Sequence, residues 1–356
     1  MDDRPDDRPV DERPVDQRPG DERADEAADA TPTPDDGTPW WGTGAAATQC
    51  EGAAPRADWA GWEADGLVPP SRDGNGFRTR YADDLELFAA HGLRRYRLTV
   101  EWARLEPHEG RWNTEEVDHL VAVLRAARAA GVEVWACLLH GTAPGWFTDD
   151  RRGWLDDKAA RLDWPRHVDR VAEAIGDLVA GWIPIHDPDL QARLGFLDGV
   201  FPPGRRDEDD HRDARAALRR AEDEAARLLH GPHPVAVALR TDDPAREAGD
   251  LLVVNAVVPE VERALERAAD AAPDAELLVV VGDPDTSVDH DERGARLRRA
   301  RATVDEAARG GLAVRGAFVL PAVDGYEWHR GFDAHLGLFD RDRNPRPAVA
   351  ELAPAG

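Results

Sequence analysis

The sequence predicts a (β/α)8 barrel, and three features of its pattern support that fold class. Apolar, often β-branched runs recur eight times from Trp40 onward. Amphipathic segments of helical length separate most of these runs, which indicates βαβ units and a parallel sheet. No glycine-rich phosphate loop follows the first run, which argues against an open dinucleotide-binding sheet. Eight such units in a chain of 356 residues favour closure into a barrel.

Each predicted strand is a short apolar run bounded by polar or turn-forming residues. The predicted strands are 40–47, 95–102, 132–140, 181–187, 234–240, 250–258, 276–283 and 314–324. The predicted helices carry apolar residues at three- and four-residue spacing. They are 81–92, 115–131, 165–181, 213–231, 259–272 and 291–311.

The first 37 residues differ from the rest of the chain in composition. Residues 1–37 repeat acidic residues with Arg and Pro and contain almost no apolar side chains. Such a segment cannot offset its ordering entropy, so we predict a disordered acidic tail followed by a barrel domain over 38–356. The net charge of −26 argues against nucleic acid or an anionic membrane as a partner. The sequence leaves the oligomeric state open.

The cysteines and the apolar segments bear on the compartment and on cofactors. Cys50 and Cys137 lie far apart and match no metal-binding spacing, which favours reduced thiols. There is no apolar segment typical of a signal peptide and no run of transmembrane length, so we expect a cytoplasmic protein. We expect no metal and no other cofactor. His140 and His186 could form a zinc site with Asp187, but they carry no spacing signature for one.

Polar and aromatic residues gather near the ends of the predicted strands, where barrels of this class place their functional sites. They are Gln49, Arg97, His140, His186, Asp187, Asn255, Asp283, Glu327 and Trp328. Carboxylates, amides and imidazoles bind sugar hydroxyls, and an indole ring stacks on the apolar face of a sugar. This combination suggests a sugar-binding site.

Several segments resemble the retaining β-glycosidases of glycoside hydrolase family 1. They are WGTGAAATQCEG, YRLTVEWARLEP, LLHGTAPGWF, WIPIHDP, GVFPPGRRD and VDGYEWHRGFDAHLGLFDRDRNPRPA, in the order of that family. The resemblance implies a (β/α)8 barrel and a β-glucosidase-like activity. It implies that Gln49, His140, Asn255, Glu327 and Trp328 bind the sugar. It also implies that Arg97 orients a nucleophilic carboxylate.

The catalytic positions depart from the pattern of the family. Its Asn-Glu-Pro motif, in which Glu is the general acid/base, is His186-Asp187-Pro188 in this chain. The nucleophile position falls on Gly282, with Asp283 one residue further on. We expect Arg97 to pair with Asp283 or with an anionic ligand. A retaining glycosidase needs two carboxyl groups about 5–5.5 Å apart, and glycine supplies none.

The sequence therefore predicts a barrel that binds a β-glycoside or related sugar, with lost or strongly impaired retaining hydrolysis. One alternative is an active inverting enzyme that uses Asp187 and Asp283, whose carboxyl groups would have to lie about 6.5–9.5 Å apart. In a second alternative the polar residues at the strand ends are retained but bind no ligand. A third is a non-enzymatic interaction protein that works through the acidic tail.

Overall fold

The computed structural model describes residues 38–242 and 249–352. In this part of the chain, the eight predicted strands form one parallel sheet in the order β4-β3-β2-β1-β8-β7-β6-β5. They are β1 Trp40–Ala45, β2 Arg95–Thr99, β3 Glu133–Cys137, β4 Gly181–Ile183, β5 Ala236–Ala238, β6 Leu251–Val257, β7 Leu277–Gly282 and β8 Val314–Leu320. The predicted tail over 1–37 lies outside the described residues.

The two ends of this sheet meet and close it into a barrel. A parallel bridge joins Trp182 on β4 to Val235 beside β5. The backbone N–H of Trp182 donates to the carbonyl of Pro234 at 2.9 Å. Closure pairs the edge strands, so that all strand ends converge on a common opening.

Helices surround the barrel and cover the outward faces of its strands. They are α1 Ala47–Glu51, α2 Asp58–Ala64, α3 Phe77–Ala90, α4 Trp102–Leu105, α5 Thr114–Ala129, α6 Asp157–Ile175, α7 Pro188–Ala192, α8 Glu208–Leu229, α9 Val261–Ala271, α10 His290–Arg309 and α11 Pro347–Leu352. Short 3-10 or π turns lie at Trp146–Asp150, Gly153–Leu155, Gly176–Leu178, Arg193–Leu197, Val258–Glu260 and Trp328–Arg330. No described helix combines the length and apolar character needed to cross a membrane.

Aromatic rings fill part of the barrel interior. The Trp40 ring lies 5.0 Å from that of Phe318 and 6.1 Å from that of Trp135, measured between centroids. Two glycines leave room for these rings. A Cβ on Gly316 would lie 2.2 Å from the Trp40 ring, and a Cβ on Gly181 would lie 2.6 Å from the Trp135 ring. The barrel is therefore a packed core below its functional opening.

One predicted helix boundary was wrong by eight residues, and the reason is a capping residue. The helix predicted over 165–181 begins at Asp157 and ends at Ile175, with Pro165 in its interior. Proline favours the first turn of a helix, which made residue 165 a plausible start. The helix begins earlier because the Asp156 side chain accepts hydrogen bonds from the N–H groups of Lys158 and Ala159.

Some predicted strands are shorter in the structure. The run predicted over 40–47 ends as a strand at Ala45, and α1 follows it, so Gln49 lies on a short helix. The run predicted over 234–240 is a strand only at Ala236–Ala238. These changes leave the eight-strand order intact, because the central part of each apolar run is still buried in the sheet.

Candidate sugar-binding site

A cavity of about 430 Å³ opens where the strands end. Its lining comes from β6 and β7, from α1 and α9, and from segments that follow β3, β4 and β8. Most of the predicted site residues line it, namely Gln49, His140, His186, Asp187, Asn255, Gly282, Asp283, Glu327 and Trp328. Arg97 is fully buried and reaches the cavity only through its contact with His140. The barrel thus gathers residues that are separated by as many as 279 positions in the chain.

Gln49 and Glu327 form a hydrogen-bonded pair in the wall of the cavity. The Gln49 Nε2 donates to the Glu327 Oε2 at 2.6 Å. Burial raises the pKa of Glu327 from its ordinary 4.5 to about 7, against the opposing effects of Gln49 and Arg330. An amide and a carboxyl group side by side offer donors and acceptors to neighbouring hydroxyls of one sugar ring.

Trp328 is held at the edge of the cavity by other aromatic rings. Its ring centroid lies 4.9 Å from that of Trp59 and 4.8 Å from that of Phe201. Trp59 is completely buried, and its Nε1 donates to the hydroxyl of Tyr326 at 3.1 Å. An indole fixed in this way is suited to stack on the apolar face of a sugar without a large loss of side-chain entropy.

Arg97, His140 and His186 form a cluster at the bottom of the cavity. An Arg97 guanidinium nitrogen lies 3.1 Å from Nδ1 of His140 and another lies 2.9 Å from the Cys137 thiol sulfur. The imidazole rings of His140 and His186 are 4.0 Å apart. A guanidinium can only donate, so His140 Nδ1 accepts, and the proton of the neutral ring is on Nε2. Burial lowers the pKa of both histidines, and the Arg97 charge lowers it further.

Asp187, which follows β4, is engaged by the backbone of α7. Its φ of 45° lies in the left-handed region, which Asp tolerates better than most residues. One carboxylate oxygen accepts from the N–H of Leu190 at 3.0 Å and so caps α7. Burial raises the pKa of Asp187, and the Leu190 hydrogen bond opposes that rise.

The end of β7 offers an open position followed by a carboxylate that is already paired. Apart from its two neighbours in the chain, no described residue has an atom within 4 Å of a Cβ built on Gly282. The next residue, Asp283, is buried, and its carboxylate lies 3.2 Å from Arg293 and 3.8 Å from Arg296. Of the two partners expected for Arg97, Asp283 is paired with other arginines, and an anionic ligand stays a prediction. The carboxylate pairs with two arginines on α10, which packs outside the barrel.

A second cavity of about 210 Å³ adjoins the first and shares Asp187, Asn255, Ala264 and Arg267 with it. The Asn255 Oδ1 is buried and has no hydrogen-bond partner among the described residues. Arg267 lies on α9 and was not among the predicted site residues. The pattern of α9 marks Arg267 only as an exposed helical residue, so the sequence held no signal that would place it beside the cavity.

The structure also bears on the zinc alternative and on the cysteines. Within residues 38–242 and 249–352, no three His, Cys, Asp or Glu side chains come together in a geometry that could hold a metal ion. Asp187 therefore does not complete a metal site with His140 and His186. Cys50 and Cys137 are both free and buried. Cys137 contacts Arg97, which in turn contacts His140 in the lining of the cavity.

Sequence comparison identifies one family whose model matches most of the barrel. The model described as glycosyl hydrolase family 1 matches residues 38–239. Coniferin beta-glucosidase from Pinus contorta is 31% identical over 176 residues, which are 46% of this chain and 34% of the relative. Beta-glucosidase A from Thermotoga maritima is 30% identical over 179 residues, which are 47% of this chain and 39% of the relative. The similarity thus spans little more than a third of the length of these relatives.

Solved structures of similar shape cover nearly the whole barrel. A beta-glycosidase from Pyrococcus horikoshii superimposes with a TM-score of 0.81 at 21% identity, over 88% of this chain and 92% of that one. A beta-glucosidase from Thermotoga maritima in complex with glucoimidazole gives a TM-score of 0.77 at 17% identity, over 88% and 96% of the two chains. At these identities the likeness concerns the fold, and it confirms the predicted (β/α)8 barrel.

Proposed function

Because this chain belongs to glycosyl hydrolase family 1, we propose that it binds a β-glycoside or related sugar in the cavity at the strand ends and does not hydrolyse it by the retaining route. The observation that supports this proposal most directly is the pair of residues at the end of β7. Gly282, which the resemblance assigns to the nucleophile position, has no side chain, and the neighbouring Asp283 is engaged by Arg293. The covalent step of a retaining glycosidase has no side chain to perform it.

The other half of the site supports binding. The Gln49–Glu327 pair, the fixed Trp328 and the Nε2–H of His140 all belong to the same cavity. Together they offer hydrogen-bonding groups for hydroxyls and an indole for the ring face. A cavity of about 430 Å³ falls within the usual range for small-molecule sites.

Asp187 gives further support because of its length and its hydrogen bond. An aspartate is shorter than a glutamate by one C–C bond, about 1.5 Å. Productive catalytic geometry tolerates deviations of only about 0.5 Å. The Asp187 carboxylate also caps α7 through Leu190. These features favour a structural role for Asp187 over proton donation to a leaving group.

The inverting alternative has one favourable observation, since burial raises the pKa of Asp187 as a general acid requires. Its second carboxylate would be Asp283. Activation of water by Asp283 would have to compete with two arginines that already neutralise it. We therefore place the binding proposal ahead of the inverting one.

Two measurements on the full chain test the proposal. We expect glucose or methyl β-glucoside to raise the melting temperature, because a ligand at 100 times its Kd stabilises the folded state by about 2.7 kcal/mol. We expect no release of nitrophenol from p-nitrophenyl β-glucoside above the buffer rate. Gln49→Ala should abolish the thermal shift, whereas Arg161→Ala, on the exposed face of α6, should keep it. Steady turnover of the nitrophenyl substrate, or the lack of any thermal shift, would overturn the proposal.

A further inference from the structure

The cluster at the bottom of the cavity contains a buried positive charge without a negative partner. Arg97 has 0% of its surface exposed. No ion pair among residues 38–242 and 249–352 involves Arg97, and its polar contacts are a neutral imidazole and a thiol. Buried charges are normally paired, because an isolated one loses its hydration without compensation. Its environment also lowers the pKa of Arg97, with burial as the main cause.

The lining of the cavity contains hydrogen-bond donors and unpartnered polar atoms, beginning with His140, which Arg97 contacts. His140 turns its Nε2–H away from Arg97, since Nδ1 is the atom that Arg97 contacts. His186 packs against His140, and its buried Nδ1 has no hydrogen-bond partner among the described residues. Asn255, in the same lining, has an unpartnered amide oxygen, and its side-chain amide can present either the oxygen or the NH2 group.

The end of β7, which lines the same cavity as His140, has space for an added group. A Cβ on Gly282 would contact no described residue within 4 Å other than its two chain neighbours, so this part of the wall is open. The nearest acidic side chain in sequence, Asp283, is neutralised by Arg293. The cavity thus has the buried cation Arg97 behind His140, hydrogen-bonding groups in its lining and an open position at Gly282.

From this arrangement we propose that the cavity binds a carboxylate, which occupies the space at Gly282 and is stabilised by Arg97 through His140 and His186. The inference rests on the proposed sugar binding. It specifies the ligand as a sugar that has a carboxylate group, or as a neutral sugar bound together with a small carboxylate. A single negative charge matches that of the buried Arg97 guanidinium, and Arg267 of α9 adds a second positive charge to the lining of the cavity. A phosphate group carries roughly 1.5 to 2 negative charges at neutral pH. These charges would enter a cavity that already contains Asp187 and Glu327. The carboxylate comes either from a sugar acid or from a small free acid bound beside a neutral sugar.

Calorimetric titration of the full chain with matched ligands tests the charge. The probes are glucuronate, its neutral amide glucuronamide, glucose and sodium acetate, at neutral pH and constant ionic strength. We expect glucuronate to bind at least about tenfold more tightly than glucuronamide. If acetate binds alone and strengthens glucose binding, a free acid is the source of the carboxylate. A preference for glucuronate without any effect of acetate identifies a sugar acid.

The same titrations separate failure of this inference from failure of the proposed sugar binding. Equal affinity for glucuronate and glucuronamide, together with binding of glucose and no effect of acetate, would overturn the carboxylate site and leave sugar binding in place. Binding of acetate without binding of any sugar would keep the carboxylate site and overturn the sugar proposal. If none of the four probes bound, both would be wrong.

Two variants at Gly282 supply a control that does not depend on the ligand. Gly282→Glu places a carboxylate in the open space, and Gly282→Gln places a neutral group of the same shape there. We expect Gly282→Glu to melt several degrees higher than Gly282→Gln, because only the former gives Arg97 a negative neighbour. The preference for glucuronate over glucuronamide should vanish in Gly282→Glu. Equal melting temperatures for the two variants, with the glucuronate preference retained in both, would contradict the inference.

Discussion

Three carboxyl groups of the cavity differ in what surrounds them, although all lie at strand ends. Glu327 bonds to the Gln49 amide, Asp187 caps α7 and Asp283 pairs with Arg293. These partners determine what each carboxyl group can do. Only Glu327 offers its carboxyl group to a ligand beside a neutral amide. Asp187 and Asp283 are engaged by the scaffold itself.

The raised pKa of Glu327 predicts a pH-dependent stability. The folded state holds this proton up to about pH 7, whereas an unfolded glutamate releases it near pH 4.5. Between these values the folded state binds more protons, so the free energy of unfolding falls as pH rises. Over this pH range, the free energy of unfolding of the wild type should fall by about 1–2 kcal/mol more than that of Glu327→Gln. This figure is smaller than the full effect of the pKa shift because solvent at the cavity mouth screens the charge.

Chemical denaturation of wild type and Glu327→Gln at pH values below and above this window measures the difference. The comparison with Gln cancels the other acids of the cavity, Asp187 and Asp283, because they are present in both proteins. A wild-type pH profile that runs parallel to that of the variant would show that Glu327 titrates normally.

Substitutions of Asp187 distinguish a helix-capping role of its side chain from a catalytic role. Asn caps helices about as well as Asp, so Asp187→Asn should keep the stability, whereas Asp187→Ala should lose about 1 kcal/mol. Neither variant should change the rate of nitrophenol release from p-nitrophenyl β-glucoside. A wild-type turnover that disappears in Asp187→Asn would instead support the inverting mechanism.

At the scale of elements, a buried ion pair fastens α8 to the short strand β5. The Glu222 carboxylate accepts from the N–H of Ala238 and from Arg240, each at 2.9 Å. Both charged side chains are nearly inaccessible, with 0% and 4% of their surface exposed. Since β5 contains only three residues, Ala236–Ala238, this anchor helps to define the wall of the second cavity.

Removing one partner of this pair should be costly. We expect Glu222→Gln to lower the free energy of unfolding by about 1–3 kcal/mol, because Arg240 loses its fully buried partner while it keeps Asp223 at 3.3 Å. Arg161→Ala is the matched control, since Arg161 pairs with Asp157 on the exposed surface of α6. That control should melt like the wild type in the same denaturation experiment. Equal losses of unfolding free energy in the two variants would show that burial does not determine how much the Glu222–Arg240 pair contributes to stability.

At the scale of the whole molecule, the acidic tail and the barrel differ in composition, and the proposed ligand site lies entirely in the barrel. We expect deletion of residues 1–37 to leave the thermal shift with glucose unchanged, because the lining residues in the described part of the chain all follow position 48. The measurement is the same melting experiment on the truncated and full chains. Loss of ligand binding on truncation would contradict a barrel-only site and favour a working role for the tail.

Local patterns were sufficient to predict the eight strands and the six longer helices, but not the short helices or all of the boundaries. Apolar runs such as 276–283 predict buried strands wherever they occur, and β7 occupies Leu277–Gly282. The start of α6 was missed because Pro165 resembles a first-turn proline, while the cap is Asp156. Predictions from local pattern fail where two capping signals compete and only packing selects between them.

The sequence by itself determined the barrel, its family and most of the polar residues that line the cavity, because strand periodicity and the motifs at strand ends are local properties of the chain. Only the tertiary structure decided how those residues are paired. Asp283 turns to Arg293 on α10, Asp187 is used by α7, and Arg97 is left with an imidazole and a thiol. Such pairings depend on side-chain directions set by packing between distant elements, and the order of residues along the chain does not encode them locally.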